Sequence, residues 1–191
     1  MQPIILASSS PRRHDLLKLI KLPFDTIVRD VDENIDEKLT PAQNVELLSL
    51  RKASAVAQEL SRGIVIGADT VVVKNGRILG KPNSRLHAAE MLKFLSGGSH
   101  EVWTGVAVIN AADGRKQVFS ERTEVILKDL TGEEIEDYIN TGEPMDKAGA
   151  YAAQGIGCVL VKGIRGCFFN VVGLPVYRLA EVLKTFEVRV F

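Results

Sequence analysis

Chemistry-bearing side chains gather first in Ser8-Ser9-Ser10-Pro11-Arg12-Arg13, where three hydroxyls and two guanidiniums stand between apolar segments. Ile4–Ala7 before it reads as a short buried strand, and Leu16, Leu17, Leu19 and Ile20 after it suit a helix face. Ser10 is the expected N-cap, with Pro11 at the first helical position, where a missing N–H costs nothing. A helix start of this kind offers free backbone N–H donors and the positive end of the dipole. With Ser8, Arg12 and Arg13 beside it, the arrangement fits an anion, phosphate before others. Ser-Pro is also an ordinary helix-start signal, and consecutive helix residues diverge by about 100°, so the two arginines need not share a ligand.

Asp69 is the second candidate. It interrupts Ile64–Val73, an apolar run of the kind found in central strands covered on both faces. Burying an unpaired carboxylate is expensive, so Asp69 calls for a metal, a cation or several donors as partner. Lys81 follows Gly80 at the end of a candidate hairpin, close enough to a sheet end to reach a phosphate. Gly76 to Gly80 spans one residue too few for a P-loop, and Pro82 stands where that motif needs Ser or Thr. The acidic stretch 30–37 reads as a solvated loop, with a second reading in which Glu33 or Asp32 turns inward to hold a divalent cation. Arg51 and Lys52 interrupt an apolar helix pattern, and periodicity favours neither as a ligand.

Composition narrows the classes. Hydrophobic residues make up 46% and charged residues 25% of 191 residues, which suits one globular domain over 1–191. Basic and acidic residues number 24 each, so broad electrostatic capture of nucleic acid or anionic membrane is disfavoured, while a local basic cleft is allowed. No apolar run approaches the roughly 20 residues of a membrane span, and no signal segment is evident. A cytoplasmic protein is expected. Cys158 and Cys167 give no metal spacing; they leave open a bridge across a hairpin or reduced packing residues, the latter favoured in that compartment. His14, His87 and His100 are scattered and form no catalytic pattern.

The elements that must position these residues can be read in order. A strand over 24–28 follows the first helix, and Thr40-Pro41-Ala42-Gln43 caps a helix running to about Leu60. Asn75-Gly76 turns the long strand back onto 77–79. Ser84 caps a helix ending at Gly97-Gly98, two strands over 101–110 and 117–127 flank Asp113-Gly114, and Thr131 opens another helix. Residues 141–155 form a long irregular segment of the kind that lines sites. Strands over 157–162 and 167–172 are expected as a hairpin before a C-terminal helix. The order predicts a mixed α/β sheet flanked by helices.

Five of these segments occur together, in the right order, in one family. Ser8–Arg13, Gly67-Ala68-Asp69-Thr70, Gly80-Lys81-Pro82, Leu95-Ser96-Gly97 and Glu143-Pro144-Met145-Asp146-Lys147-Ala148-Gly149-Ala150-Tyr151 resemble the Maf family of nucleoside triphosphate pyrophosphatases. The resemblance covers nearly the whole chain. It implies an elongated, two-lobed fold shared with the inosine triphosphate pyrophosphatases, with a central cleft for the nucleotide. It implies cleavage of the α–β phosphoanhydride to monophosphate and pyrophosphate with a divalent cation, Mg²⁺ or Mn²⁺, and, for some members, a link to septum formation and division arrest. Specificity positions of the family match Arg12, Thr70 and Gln154. Asp69-Thr70 with Gln154 resembles the dTTP/UTP branch rather than the 7-methyl-GTP branch, which carries Asp-Gln and a glutamate. Family positions also match Arg13, Glu33, Lys52 and Lys81, and a homodimer is implied.

The residues suit that chemistry. Cleavage of a polyphosphate is mostly positioning and charge stabilisation, which Arg12, Arg13, Lys52 and Lys81 can supply. Asp69 and Glu33 are hard oxygen ligands for a divalent cation. Asp69 activates water, directly or through the metal, and a carboxylate is so feeble a base that metal-lowered water acidity carries much of the activation. Gln154 presents a donor and an acceptor to a pyrimidine O4/N3 edge. The competing class is a nucleotide- or nucleic-acid-binding regulator of division without turnover. Such a sensor gains little from a carboxylate in a central strand, and zero net charge disfavours a nucleic-acid partner. A phosphotransferase would need a Walker or kinase signature that the chain lacks.

Overall fold

The computed structural model describes residues 2–191. Strands β1 (Ile4–Leu6), β2 (Asp25–Thr26), β3 (Ile64–Lys74), β4 (Arg77–Leu79), β5 (Ser99–Asn110), β6 (Lys116–Leu127) and β7 (Val161–Arg165) form one seven-stranded sheet. Its order is β2-β1-β3-β5-β6-β7, with β4 paired to β3 off that path. Helices α1 (Pro11–Leu19), α2 (Pro41–Ala57), α3 (Arg85–Leu95), α4 (Gly132–Asn140), α5 (Phe168–Val172) and α6 (Val176–Thr185) flank the strands. β1 runs parallel to both β2 and β3, whereas β3–β4 and β6–β7 are antiparallel. The mixed sheet follows from local chemistry: βαβ crossovers make the first pairs parallel, and tight turns make the later ones antiparallel. Asn75 and Gly76 both adopt positive φ, as the expected hairpin turn requires.

The chain divides into two compact units. The first comprises Met1–Asp69, Thr104–Glu121 and Gly173–Phe191, and the second Thr70–Trp103 and Arg122–Val172. Each has its own core. In the first, α2 contributes Ala53, Val56 and Ala57 against Ile5, Ala7, Val65, Ala107 and Ile109. In the second, Leu92 and Leu95 of α3 join Val72, Val125, Leu127 and Tyr138.

The helix caps form as their residues dictate. Thr40 and Thr131 each complete a capping box, with Gln43 and Glu134, and Ser84 accepts from the His87 N–H. α1 departs from expectation in detail. Ser10 holds the N-cap position but its hydroxyl makes no cap bond, and Leu19 is 63% exposed rather than packed. The buried face is Arg13, Leu16 and Leu17, a helical i, i+3, i+4 stripe with an arginine in it.

The predicted 157–172 hairpin does not form. Gly155–Leu160 is a 3₁₀ segment, β7 pairs with β6, and the run from Phe168 to Val172 is helix α5. A short apolar run fits either state, and side-chain bonds decide this one. Asn170, fully buried, donates to the Val102 carbonyl and to Thr123 Oγ1, while Thr123 Oγ1 also bonds the Cys167 backbone. The second strand is reduced to Asp25–Thr26, and α2 ends at Ala57. Cys158 and Cys167 are both free thiols.

Candidate active site

The turn between β1 and α1 is pinned by Ser8. Its buried hydroxyl accepts from the Ser10 N–H at 3.3 Å and from Arg13 Nη1 at 3.1 Å. Its carbonyl lies 3.0 Å from His14 Nε2, so this histidine fixes the turn. Arg13 is only 8% exposed, and its Nε donates to the Gly173 carbonyl at 2.9 Å. Burial lowers its pKa below the ordinary value and Arg12 adds to that, while the charges of Asp69 and Glu33 act the other way. Arg13 is therefore a pre-positioned cation, whereas Arg12 is half-buried one step around the helix.

Two glycines let α2 approach the sheet. A Cβ on Gly67 would stand 2.4 Å from the Ser49 carbonyl oxygen, and one on Gly105 would stand 2.1 Å from that of Val45. Backbone contact this close is open only to residues without a side chain. Gly67 and Asp69 share a strand face by the period of two, so the face on which α2 rests also carries Asp69. Lys52 of α2 meets it there: Nζ lies 2.6 Å from Asp69 Oδ1 and 2.9 Å from Glu33 Oε1. Lys52 and Asp69 side chains are each 14% exposed, while Glu33 is 57% exposed. Lys52 is thus the partner that the buried carboxylate demanded. The acidic stretch otherwise stays in solvent, and Asp32 pairs with Arg51 at 3.5 Å instead of turning inward.

The first unit accordingly gathers Ser8, Arg13, Glu33, Lys52 and Asp69, with Arg12 beside Arg13 on α1. Two carboxylates drawn to one ammonium suit a divalent cation of the kind that retains waters and is completed by substrate phosphate oxygens. Among the described residues no group of three or more His, Cys, Asp and Glu side chains could make an all-protein cage. Asp69 and Glu33 are hard oxygen donors of the type such a divalent cation takes.

The remaining predicted residues belong to the second unit. Thr70 follows Asp69 along β3, half-buried and facing the opposite side of the strand. Lys81 is exposed, next to Gly80, whose carbonyl accepts from the Gly149 N–H at 3.0 Å. Gln154 is exposed and stands at the N-cap position of the 3₁₀ segment. Sequence reasoning passed over the residue that holds this segment. Glu143 Oε1 accepts from Tyr138 Oη at 2.7 Å and from the Gly157 N–H at 2.8 Å, and Oε2 from the Ile156 N–H at 3.0 Å. Burial pushes the Glu143 carboxyl upward, but these bonds and the Lys147 charge outweigh it and leave the pKa below the ordinary carboxylate value. Its signal was present, since Glu143 opens the longest family motif.

The fold and motif order define the class. The family model described as Maf-like protein matches residues 3–186, and the chain belongs to this family. It is 53% identical over 190 residues to the dTTP/UTP pyrophosphatase of Desulforamulus reducens, covering 100% of both chains. It is 56% identical to the dTTP/UTP pyrophosphatase of Pelotomaculum thermopropionicum, covering 97% of each, and 50% identical to that of Bacillus cereus, covering 100% of this chain and 98% of the other. Among solved structures it is similar to the Ham1 protein of Staphylococcus aureus, with 16% identity, a TM-score of 0.49, and coverage of 84% of this chain and 80% of the other.

Proposed function

We propose that this chain is a cytoplasmic nucleoside triphosphate pyrophosphatase acting on dTTP and UTP. The observation that carries the proposal is the Asp69–Lys52–Glu33 cluster, linked at 2.6 and 2.9 Å, with both carboxylates within electrostatic reach of the buried Arg13. A purely structural core gains nothing from so many charges taken partly out of water. Relatives at 50–56% identity that bear the name dTTP/UTP pyrophosphatase support the substrate class.

The residues take the following roles. Attack of water breaks the α–β phosphoanhydride, releasing nucleoside monophosphate and pyrophosphate, and the water proton passes to the Asp69 carboxylate. Asp69 and Glu33 are the residues that would hold a divalent cation, which when bound would supply charge neutralisation for the phosphates and lower the pKa of water. Arg13 is fixed by Ser8 and Gly173, so its guanidinium meets developing negative charge without reorganisation. Lys52 shares that task and pairs with Asp69 at 2.6 Å. Arg12 and Lys81 are assigned to phosphates, and Arg12, Thr70 and Gln154 to recognition of the pyrimidine. The family resemblance adds a link to septum formation and a homodimeric state; a light-scattering mass of one chain would contradict the latter.

The test is pyrophosphate release from a panel of triphosphates with Mg²⁺ or Mn²⁺, for the wild type and Asp69→Asn. Release from dTTP and UTP with monophosphate as co-product is expected, falling by a factor on the order of 10² or more in the variant. Binding of dTTP without release would replace the enzyme by a nucleotide-sensing regulator.

A further inference from the structure

Gln154 occupies the N-cap position of Gly155–Leu160, where a polar side chain ordinarily turns back to satisfy the first backbone N–H groups of the segment. Its side chain makes no such bond. The N–H groups of Ile156 and Gly157 are taken instead by the carboxylate of Glu143, at 3.0 and 2.8 Å. Glu143 is itself braced by the hydroxyl of Tyr138, a core residue only 4% exposed, which also accepts from the Ala152 N–H at 3.2 Å. Both flanks of Gln154 are therefore tied to one carboxylate–phenol pair. Glycines make the approach possible. Gly155 has a φ of +68°, and a Cβ there would stand 2.4 Å from Glu143 Oε2; a Cβ on Gly157 would stand 2.4 Å from Tyr138 Oη. A segment built this way supplies its own cap from a distant carboxylate and leaves the Gln154 amide for another partner.

We propose that Glu143, braced by Tyr138, is a positioning residue for substrate specificity: it caps the Gly155–Leu160 segment in place of Gln154 and so presents the Gln154 amide to the pyrimidine edge. This rests on the reading of Gln154 as a base-recognition residue. Glu143 acts through Gln154, and its loss changes which base is accepted before it changes the chemistry. An ionised carboxylate offers acceptors only, as two backbone donors and a phenol require, and these bonds hold the Glu143 pKa below its ordinary value.

The experiment compares kcat/KM for dTTP and dATP in the wild type, Gln154→Ala, Glu143→Gln and the double variant, with Mg²⁺ present. Glu143→Gln keeps the side-chain shape but turns one acceptor into a donor facing backbone N–H groups. Preference for dTTP is expected to fall on the order of tenfold in Glu143→Gln, through a higher KM for dTTP, with kcat on dATP kept. The double variant should discriminate no worse than Gln154→Ala, because one effect runs through the other. A Glu143→Gln enzyme that keeps the wild-type preference, while Gln154→Ala loses it, overturns the positioning role, as does additivity in the double variant. If Gln154→Ala keeps the preference, the base-recognition reading itself fails and the positioning role falls with it. Tyr138→Phe, which deletes one bond and leaves the ring packed, gives the same comparison should Glu143→Gln not fold. It must shift the preference in the same direction, and an unchanged ratio there overturns the proposal.

Discussion

Arg12 and Arg13 are adjacent and chemically alike, and the fold treats them differently because one helix step separates a buried face from a half-open one. Arg13 falls on the Leu16–Leu17 stripe and is locked by Ser8 and Gly173, so its charge is fixed before any ligand arrives. Asp69 meets the same logic: a carboxylate at 14% exposure persists because an ammonium lies at 2.6 Å. His100 shows the opposite outcome, a polar group buried without a charge partner of opposite sign. It is 3% exposed, bonds Tyr151 Oη through Nε2 at 2.7 Å, and has its pKa lowered to about 4 by burial and by the charge of Lys74. As pH falls below 6.5 the unfolded chain takes a proton on His100 that the folded chain refuses until about 4. The folded state is therefore fully favoured above 6.5, loses stability through that window, and loses none further below it from this group. The loss amounts to about 3 kcal/mol. Urea unfolding at pH 7 and pH 5 should show a drop that shrinks in His100→Gln; an equal drop in both would refute this account.

At the scale of elements, the site depends on how closely α2 lies on β3 and β5. Helix–sheet contact normally runs through side chains, but here backbone meets backbone at Gly67 and Gly105. That proximity brings the short reach of Lys52 to Asp69. Gly67→Ala places a methyl 2.4 Å from the Ser49 carbonyl and 2.8 Å from the Ala53 amide nitrogen, neither of which can swing aside. The helix must lift, at a cost of about 1–3 kcal/mol. The expected result is a lower denaturant midpoint together with a lower kcat, because the Lys52–Asp69 pair lengthens. Loss of stability with unchanged kcat would show that the close approach serves packing alone.

At the scale of the molecule, two cores coexist in one sheet. The boundaries between the compact units fall at Asp69/Thr70 in β3, Trp103/Thr104 in β5 and Glu121/Arg122 in β6, each inside a continuous strand. Because the backbone of these three strands runs through both units, the chain is expected to unfold in one cooperative step. Scanning calorimetry should give a calorimetric enthalpy equal to the van't Hoff value; two separated transitions would show independent units. No helix among the described residues is long and apolar enough to cross a membrane.

Much of this was legible in the amino-acid sequence. The caps at Thr40, Ser84 and Thr131, the Asn75-Gly76 turn and the apolar strand around Asp69 are local signals, each set by side chains a few residues from the backbone they organise. The five motifs carried the family in the same way, as residue order. The tertiary structure alone decided three matters. It tied Asp69 and Glu33 to one ammonium, because α2 lies close over Gly67 and its Lys52 side chain reaches both carboxylates. It made Phe168–Val172 a helix, because Asn170 bonds Thr123 of β6 and the Val102 carbonyl of β5, both remote in sequence. It gave Glu143 the capping bonds of the segment at whose N-cap Gln154 stands, because a backbone N–H donates to whichever oxygen the fold brings within reach, however far away that oxygen lies along the chain.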